Sequence, residues 1–329
     1  MMGRWPKIVE SFPLTVGQVF QQYTRIPADT SNILYHYTTR MGLDGILKSG
    51  GLRATYRMGM NDAGEFDYAR NVVYEALNEV SRRNDLPHVA QSLVTYICRN
   101  LDRLLNDTTE MSSAYCACLT VSSDHLEQWE TYAEHGMGFA IGLNLHQFLN
   151  MQVAAFQRGK PFVFCAPVTY DQRDQRYLVR CLVEAGIYDL QTFSATYSQQ
   201  SDHLTAVRDR VTHEIIVRLL TLMDFIKAPI YNSEREMRLI LDPNDGTLKA
   251  LDVQYYERDN ESMPFIFMDL CNPKTRRLLL AEIKVGPKAS FQEEKAFIEA
   301  LLDENGYMRN CENRPRVTQS LLATFGRFN

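Results

Sequence analysis

The stretch that most constrains this chain is Ser233–Leu241, S-E-R-E-M-R-L-I-L. Read as a β-strand, it puts Glu234, Glu236 and Arg238 on one face, because side chains alternate with period two. Arg235, Met237, Leu239 and Leu241 take the other face. Leu239-Ile240-Leu241 is apolar on both faces, so the strand runs into a core. Two carboxylates thus sit at the mouth of a buried strand, about 7 Å apart along it. Like charges that close oppose each other's ionisation, which suits a tuned carboxylate. The plain reading is a solvated strand end, with Arg235 and Arg238 screening the two glutamates.

The rest of the chain has to supply a partner for that strand. Its 329 residues, 45% hydrophobic and 23% charged, are ordinary for a globular protein. The formal net charge of −5 gives no global basic field for nucleic acid. Charge is uneven, however: residues 270–329 carry 10 Lys+Arg against 7 Asp+Glu, which makes that part the better face for an anionic partner. The seven cysteines include no C-x-x-C, and the seven histidines include no H-E-x-x-H. That pattern reads as reduced thiols, no metal and a cytosolic address. No signal-like apolar run opens the sequence, and no stretch is long and apolar enough to span a bilayer.

Along the chain, residues 1–32 read as an N-terminal extension with a short helix near Val16–Tyr23. Strands are expected at 33–37, 52–56, 114–121, 138–143, 161–170, 235–241, 252–256, 265–269, 278–285 and 316–324. Helices are expected at 40–49, 66–82, 87–105, 126–133 and 291–303, with a turn at Asn61–Gly64. Residues 171–227 read as two long helices broken near 196–201. Strands dominate both ends and helices the middle, so the class is α+β. No G-x-G-x-x-G or G-K-[ST] follows a strand, which removes support for dinucleotide-fold and P-loop readings.

Three further groups could carry chemistry. In Tyr35-His36-Tyr37-Thr38, His36 shares a face with Leu34 and Thr38, where it could orient a ribose or a flat ring. The plain alternative is a core histidine bonded to a backbone carbonyl. Asn61-Asp62-Ala63-Gly64-Glu65-Phe66 reads most simply as an Asx turn that caps a helix. Gln128-Trp129 with Tyr132 reads as packing.

Taken together, five blocks resemble a widespread bacterial family of unknown function, domain-of-unknown-function family 2971. They are L-Y-H-Y-T-T-R from Leu34, M-N-D-A-G-E-F from Met60, C-A-C-L-T-V-S-S-D-H-L-E-Q-W from Cys116 onward through G-F-A-I-G-L, S-E-R-E-M-R-L-I from Ser233, and A-E-I-K-V-G-P-K from Ala281. The blocks keep the family's order over about residues 33–290. Met237 stands where the family usually has Trp, and Thr120 where it usually has Ser.

That family in turn looks remotely like the ADP-ribosyltransferase fold. The resemblance implies one ADP-ribosyltransferase-like domain over 33–329, built on a split, bent antiparallel sheet, with the 171–227 helices as an insertion. It implies NAD as substrate and no metal. His36 matches the first-strand His that holds the NAD ribose. Tyr37 replaces the usual Gly, and Thr38 matches the small hydroxyl residue after it. Tyr56 and Tyr68 lie where ring-stacking tyrosines are sought. Thr120 lies in the strand similar to Ser-Thr-Ser, and Glu234 and Glu236 form the E-x-E pair. In that pair Glu236 would stabilise the developing positive charge and Glu234 would orient or deprotonate the nucleophile. The implied function is a mono-ADP-ribosyltransferase, a bacterial toxin or antiviral effector held in check by an inhibitor, modifying nucleic acid or protein. The alternatives are NAD hydrolysis and a catalytically idle nucleotide- or protein-binding module. The geometric expectation is that His36 and Glu236 line one pocket, with Tyr37, Thr38, Tyr56, Thr120 and Glu234 at its wall and Trp129 and Tyr132 behind it.

Overall fold

A computed structural model describes residues 18–19, 32–57, 64–86, 88–106, 114–144, 147–149, 163–196, 201–241, 252–258, 260–309 and 314–325. Most of the expected N-terminal helix and the Asn61–Ala63 part of the turn lie outside them. The strands are β1 (Ile33–Thr38), β2 (Gly51–Tyr56), β3 (Tyr115–Thr120), β4 (Phe139–Asn144), β5 (Val163–Pro167), β6 (Glu236–Leu241), β7 (Val253–Arg258), β8 (Glu261–Asp269), β9 (Leu280–Val285) and β10 (Arg316–Gln319). The helices are α1 (Arg40–Ser49), α2 (Glu65–Ser81), α3 (His88–Asn106), α4 (Leu126–Tyr132), α5 (Gln172–Thr196), α6 (Ser201–Met223) and α7 (Phe291–Glu304). The architecture is α+β.

Local chemistry explains the boundaries. Thr39 caps α1 by accepting from the Gly42 N–H, and Gly50 ends it in the left-handed region at φ 77°. The expected last strand is shorter than its sequence suggested: β10 stops at Gln319, and residues 321–325 form a 3₁₀ turn. The reason is Asp124, whose carboxylate accepts from the Ser320 hydroxyl and the Leu321 N–H, both at 2.6 Å. The sheet is mixed, because β10 runs parallel to β9 while the other strand pairs are antiparallel. That corrects the all-antiparallel expectation at one edge.

Strand order is β10-β9-β4-β1-β3-β2-β8-β7, with β5 and β6 branching from β3. β6 pairs with the full length of β3, from Tyr115↔Leu241 to Thr120↔Glu236. β1 and β2 therefore share the opposite edge of β3. β1 meets it at Tyr35↔Thr120, and β2 meets it at Cys116 and Tyr115. Between those points the backbone of residues 117–119 has no strand partner on that edge. The sheet splits there, and the backbone groups need other partners.

Two cores flank this split. One lies under the sheet, where Leu34, Leu119, Ile141, Leu239, Ile266 and Ile283 pack with α1 and α7. The other is wholly helical, with α2, α3, α5 and α6 joined through Val73, Leu93, Leu182 and Leu219. The long α5–α6 pair thus packs on α2 and α3, and Phe164 of β5 reaches its rim.

Candidate functional site

The split opens into a cavity of about 640 Å³. Its floor is Cys116 to Leu119 of β3, of which residues 117–119 run along the unpaired edge. Tyr35, His36 and Tyr37 of β1 line one side and Arg53 and Thr55 of β2 another. Gln128, Thr131 and Tyr132 of α4 form a wall, and Lys227, Tyr231, Glu234 and Glu236 close the far end.

His36 fills the vacancy that β1 and β2 leave. Its Nδ1 lies 3.0 Å from the Cys118 carbonyl oxygen. A carbonyl only accepts, so Nδ1 carries the proton and Nε2 is left as an acceptor. Burial lowers the imidazole's proton affinity, partly offset by that same hydrogen bond, which keeps the ring neutral. Strand alternation starts His36 from the face opposite to Tyr35, whereas Tyr35, Thr120 and Glu236 lie in register on one face. His36 and Glu236 nevertheless line one cavity, because β1 pairs with β3 only at Tyr35 and the His36 ring turns into the gap onto the Cys118 carbonyl.

The far end is a cluster of five charges, Glu236, Arg238 and Lys227 buried and Glu65 and Glu234 partly so. Glu236 is bound in two places by Arg238, at 2.8 and 3.0 Å, and lies 3.4 Å from Lys227 Nζ. Arg238 also pairs with Glu65 and donates to the Asp224 carbonyl. Lys227 lies 2.5 Å from Glu234 and 3.6 Å from Glu65. Burial opposes ionisation of Glu236, yet the Arg238 charge and hydrogen bonds hold it at about 2. Burial also opposes charge on Lys227, but Glu236, Glu234 and Glu65 outweigh it and keep the ammonium protonated. Glu234 differs. Burial raises its proton affinity above the ordinary value, and Lys227 offsets only part of that. Three carboxylates against two cations leave the cluster anionic.

The strand reading of Glu234 needs correcting. Glu234 ends a 3₁₀ turn at Pro229–Glu234, and Arg235 is left-handed at φ 47°. The kink, not strand periodicity, brings Glu234 beside Glu236. Thr120 does not line the cavity. Its hydroxyl donates to the Glu234 carbonyl at 2.8 Å and so fixes the kink from behind. Thr38 is buried beside the start of α1, with its hydroxyl filling the space over Gly42. Neither expected stacking tyrosine reaches the cavity. Tyr56 packs on Tyr115 with ring centroids 5.9 Å apart, and the Tyr68 hydroxyl donates to Gln175. The cavity's rings come from Tyr132 and Tyr231 besides Tyr35 and Tyr37. Tyr132 was expected behind the wall but forms part of it. Trp129 does lie behind: it is fully buried, edge-on to Tyr37 at 4.7 Å, and its indole N–H donates to Asp124. Tyr37 holds the entry to α4 by donating to the Ser122 carbonyl and accepting from the His125 N–H.

Sequence reasoning missed Lys227 and Tyr231. It took Glu65 only as part of the N-D-A-G-E-F turn, whereas Glu65 opens α2 as a first-turn acid. Lys227 had one signal, a lone cation closing the apolar run L-L-T-L-M-D-F-I.

Fold and site define an α+β protein whose split sheet holds a neutral histidine opposite an ion-paired acidic cluster. Residues 128–239 match the family model described as protein of unknown function (DUF2971), which supports placing the chain in that family. No curated protein and no solved structure matches the chain. Among the described residues, no helix is long and apolar enough to cross a membrane.

Proposed function

We propose that this chain is an NAD-dependent mono-ADP-ribosyltransferase, a bacterial cytoplasmic toxin or antiviral effector that modifies nucleic acid or protein and is restrained by an inhibitor. The observation that carries the reading is that His36 and the Glu234–Glu236 pair, about 200 residues away, line one cavity at the split of the sheet. Its volume lies within the range of small-molecule sites. In the reaction the nicotinamide–ribose bond breaks, an acceptor N–H or O–H bonds to the ribose carbon, and nicotinamide and a proton leave. The anionic cluster favours the positive charge that develops on the ribose. Neutral His36 offers Nε2 as acceptor to a ribose hydroxyl. Glu234 has the fewest partners and a raised proton affinity, so it is the better proton acceptor. Glu236, ionised and clamped, acts through its charge. Tyr132 is the ring placed to stack on nicotinamide, while the Tyr231 ring carries the Lys227 ammonium at 4.8 Å.

One observation favours the second reading, a pocket that binds nucleotide without turning it over. Arg238 and Lys227 already occupy both oxygens of Glu236. NAD binding by calorimetry and nicotinamide release, measured on the wild type, Glu234→Gln and Glu236→Gln, separates the cases. Release that falls at least tenfold in both variants while binding persists supports the transferase. Binding without release in the wild type assigns the idle module, and release to water alone assigns a glycohydrolase. No binding by a folded wild type removes all three.

A further inference from the structure

The cavity floor carries two thiols that the reading above leaves unused. Cys116 and Cys118 are two residues apart on β3, so both side chains leave one face. Their sulfurs lie 3.9 Å apart, and both residues line the cavity. Cys118 is partly exposed, while Cys116 is buried against a small apolar cluster with Ala166, Phe225 and Ile240. The strand beneath them is pinned by β6, with Cys116 opposite Ile240 and Cys118 opposite Arg238.

That spacing decides what the pair can hold. A disulfide needs sulfurs about 2.05 Å apart, which this ladder-bound strand resists. A single atom bonded to both sulfurs at about 2.3 Å and a tetrahedral angle needs them roughly 3.8 Å apart, and a pyramidal centre needs somewhat less. Among the described residues no cluster of three or more His, Cys, Asp or Glu could hold a metal ion. The site therefore suits a centre satisfied by two sulfurs.

We propose that Cys116 and Cys118 form a dithiol site, opening into the cavity, that captures thiophilic centres of the trivalent arsenical class. With an organic arsenoxide, two As–S bonds form and the As=O bond breaks. The oxygen leaves as water with the two thiol protons, and arsenic stays trivalent. The Cys116 contact and burial hold Cys118 protonated, so capture proceeds through its small thiolate fraction and is slow rather than blocked. Capture also removes the Cys118 thiol that helps hold Glu236 ionised.

The test treats the native full chain with one equivalent of phenylarsine oxide, then washes it with excess 2-mercaptoethanol. The expected result is one adduct per chain by intact mass, resistant to the monothiol and released by 2,3-dimercaptopropanol. Tryptic mapping should place it on residues 104–158, a fragment whose only cysteines are Cys116 and Cys118. Cys116→Ser and Cys118→Ser should each lose the resistant adduct, and Cys165→Ser should keep it. A washed-out adduct, or one mapped to another fragment of the wild type, overturns the proposal even if the serine variants do not fold. Neither outcome depends on NAD chemistry.

Discussion

Replacing Arg238 by Met tests the charge cluster most directly. Arg238 is 2% exposed and holds Glu236, Glu65 and the Asp224 carbonyl. Met fills similar volume without charge, so Glu236, Glu65 and Glu234 are left to share Lys227. Glu236 ionises at about 2 instead of the ordinary 4.5. Each tenfold change in proton affinity is worth about 1.4 kcal/mol, so the ionised state of Glu236, held by Arg238, Lys227 and Cys118 against burial, contributes ~3 kcal/mol net to the folded state. Breaking one side of a buried pair costs about 3–5 kcal/mol, in agreement. The sign follows from proton uptake. In the wild type the folded state binds fewer protons at Glu236 than the unfolded chain, so this contribution is complete above 4.5 and is lost as pH falls towards about 2. In Arg238→Met the carboxylate regains its proton at higher pH, so the deficit narrows as pH falls. Urea unfolding followed by far-UV circular dichroism at pH 7, 6, 5 and 4 reads both. A neutral-pH loss below about 1 kcal/mol, or a deficit that does not change with pH, refutes the reasoning.

Gln175→Leu should lower stability by about 2 kcal/mol or more in a thermal scan. Gln175 is fully buried and joins the Thr169 and Lys227 carbonyls to the Tyr68 hydroxyl. His36 should titrate below its ordinary 6.5 and keep its proton on Nδ1, which ¹⁵N NMR reads directly. A ring that protonates at or above 6.5 contradicts its burial in the split. Its effect on stability runs downward as pH falls through 6.5, because the unfolded chain takes up that proton first. Gly138→Ala should cost about 1–3 kcal/mol. The added carbon would stand 2.3 Å from the Thr38 carbonyl oxygen and 3.0 Å from Ala133 backbone, and urea midpoints should show the loss.

The sequence by itself determined the elements. Hydrophobic patterning marked β1 and β6, and helical spacing with a Gly50-Gly51 stop marked α1. Those signals are local: each residue's neighbours along the chain fix which face it takes. Sequence also picked out His36, Glu234 and Glu236 as residues to watch. The tertiary structure alone decided what surrounds them. Lys227, Glu65 and Tyr231 reach the site because β1 and β2 share one edge of β3 and leave a gap. No short-range pattern encodes that sharing, since it is set by pairing between strands tens to hundreds of residues apart. The same gap explains the displaced residues. Tyr56 and Tyr68 have the right chemistry for a stacking role, but their backbones commit them to Tyr115 and Gln175. Arg235 shows the limit most plainly. Alternation read Glu234 as part of the strand, whereas a left-handed residue there turns it onto Lys227. A charged pair that buries well can outweigh one unfavourable backbone angle, and that balance is struck only in three dimensions.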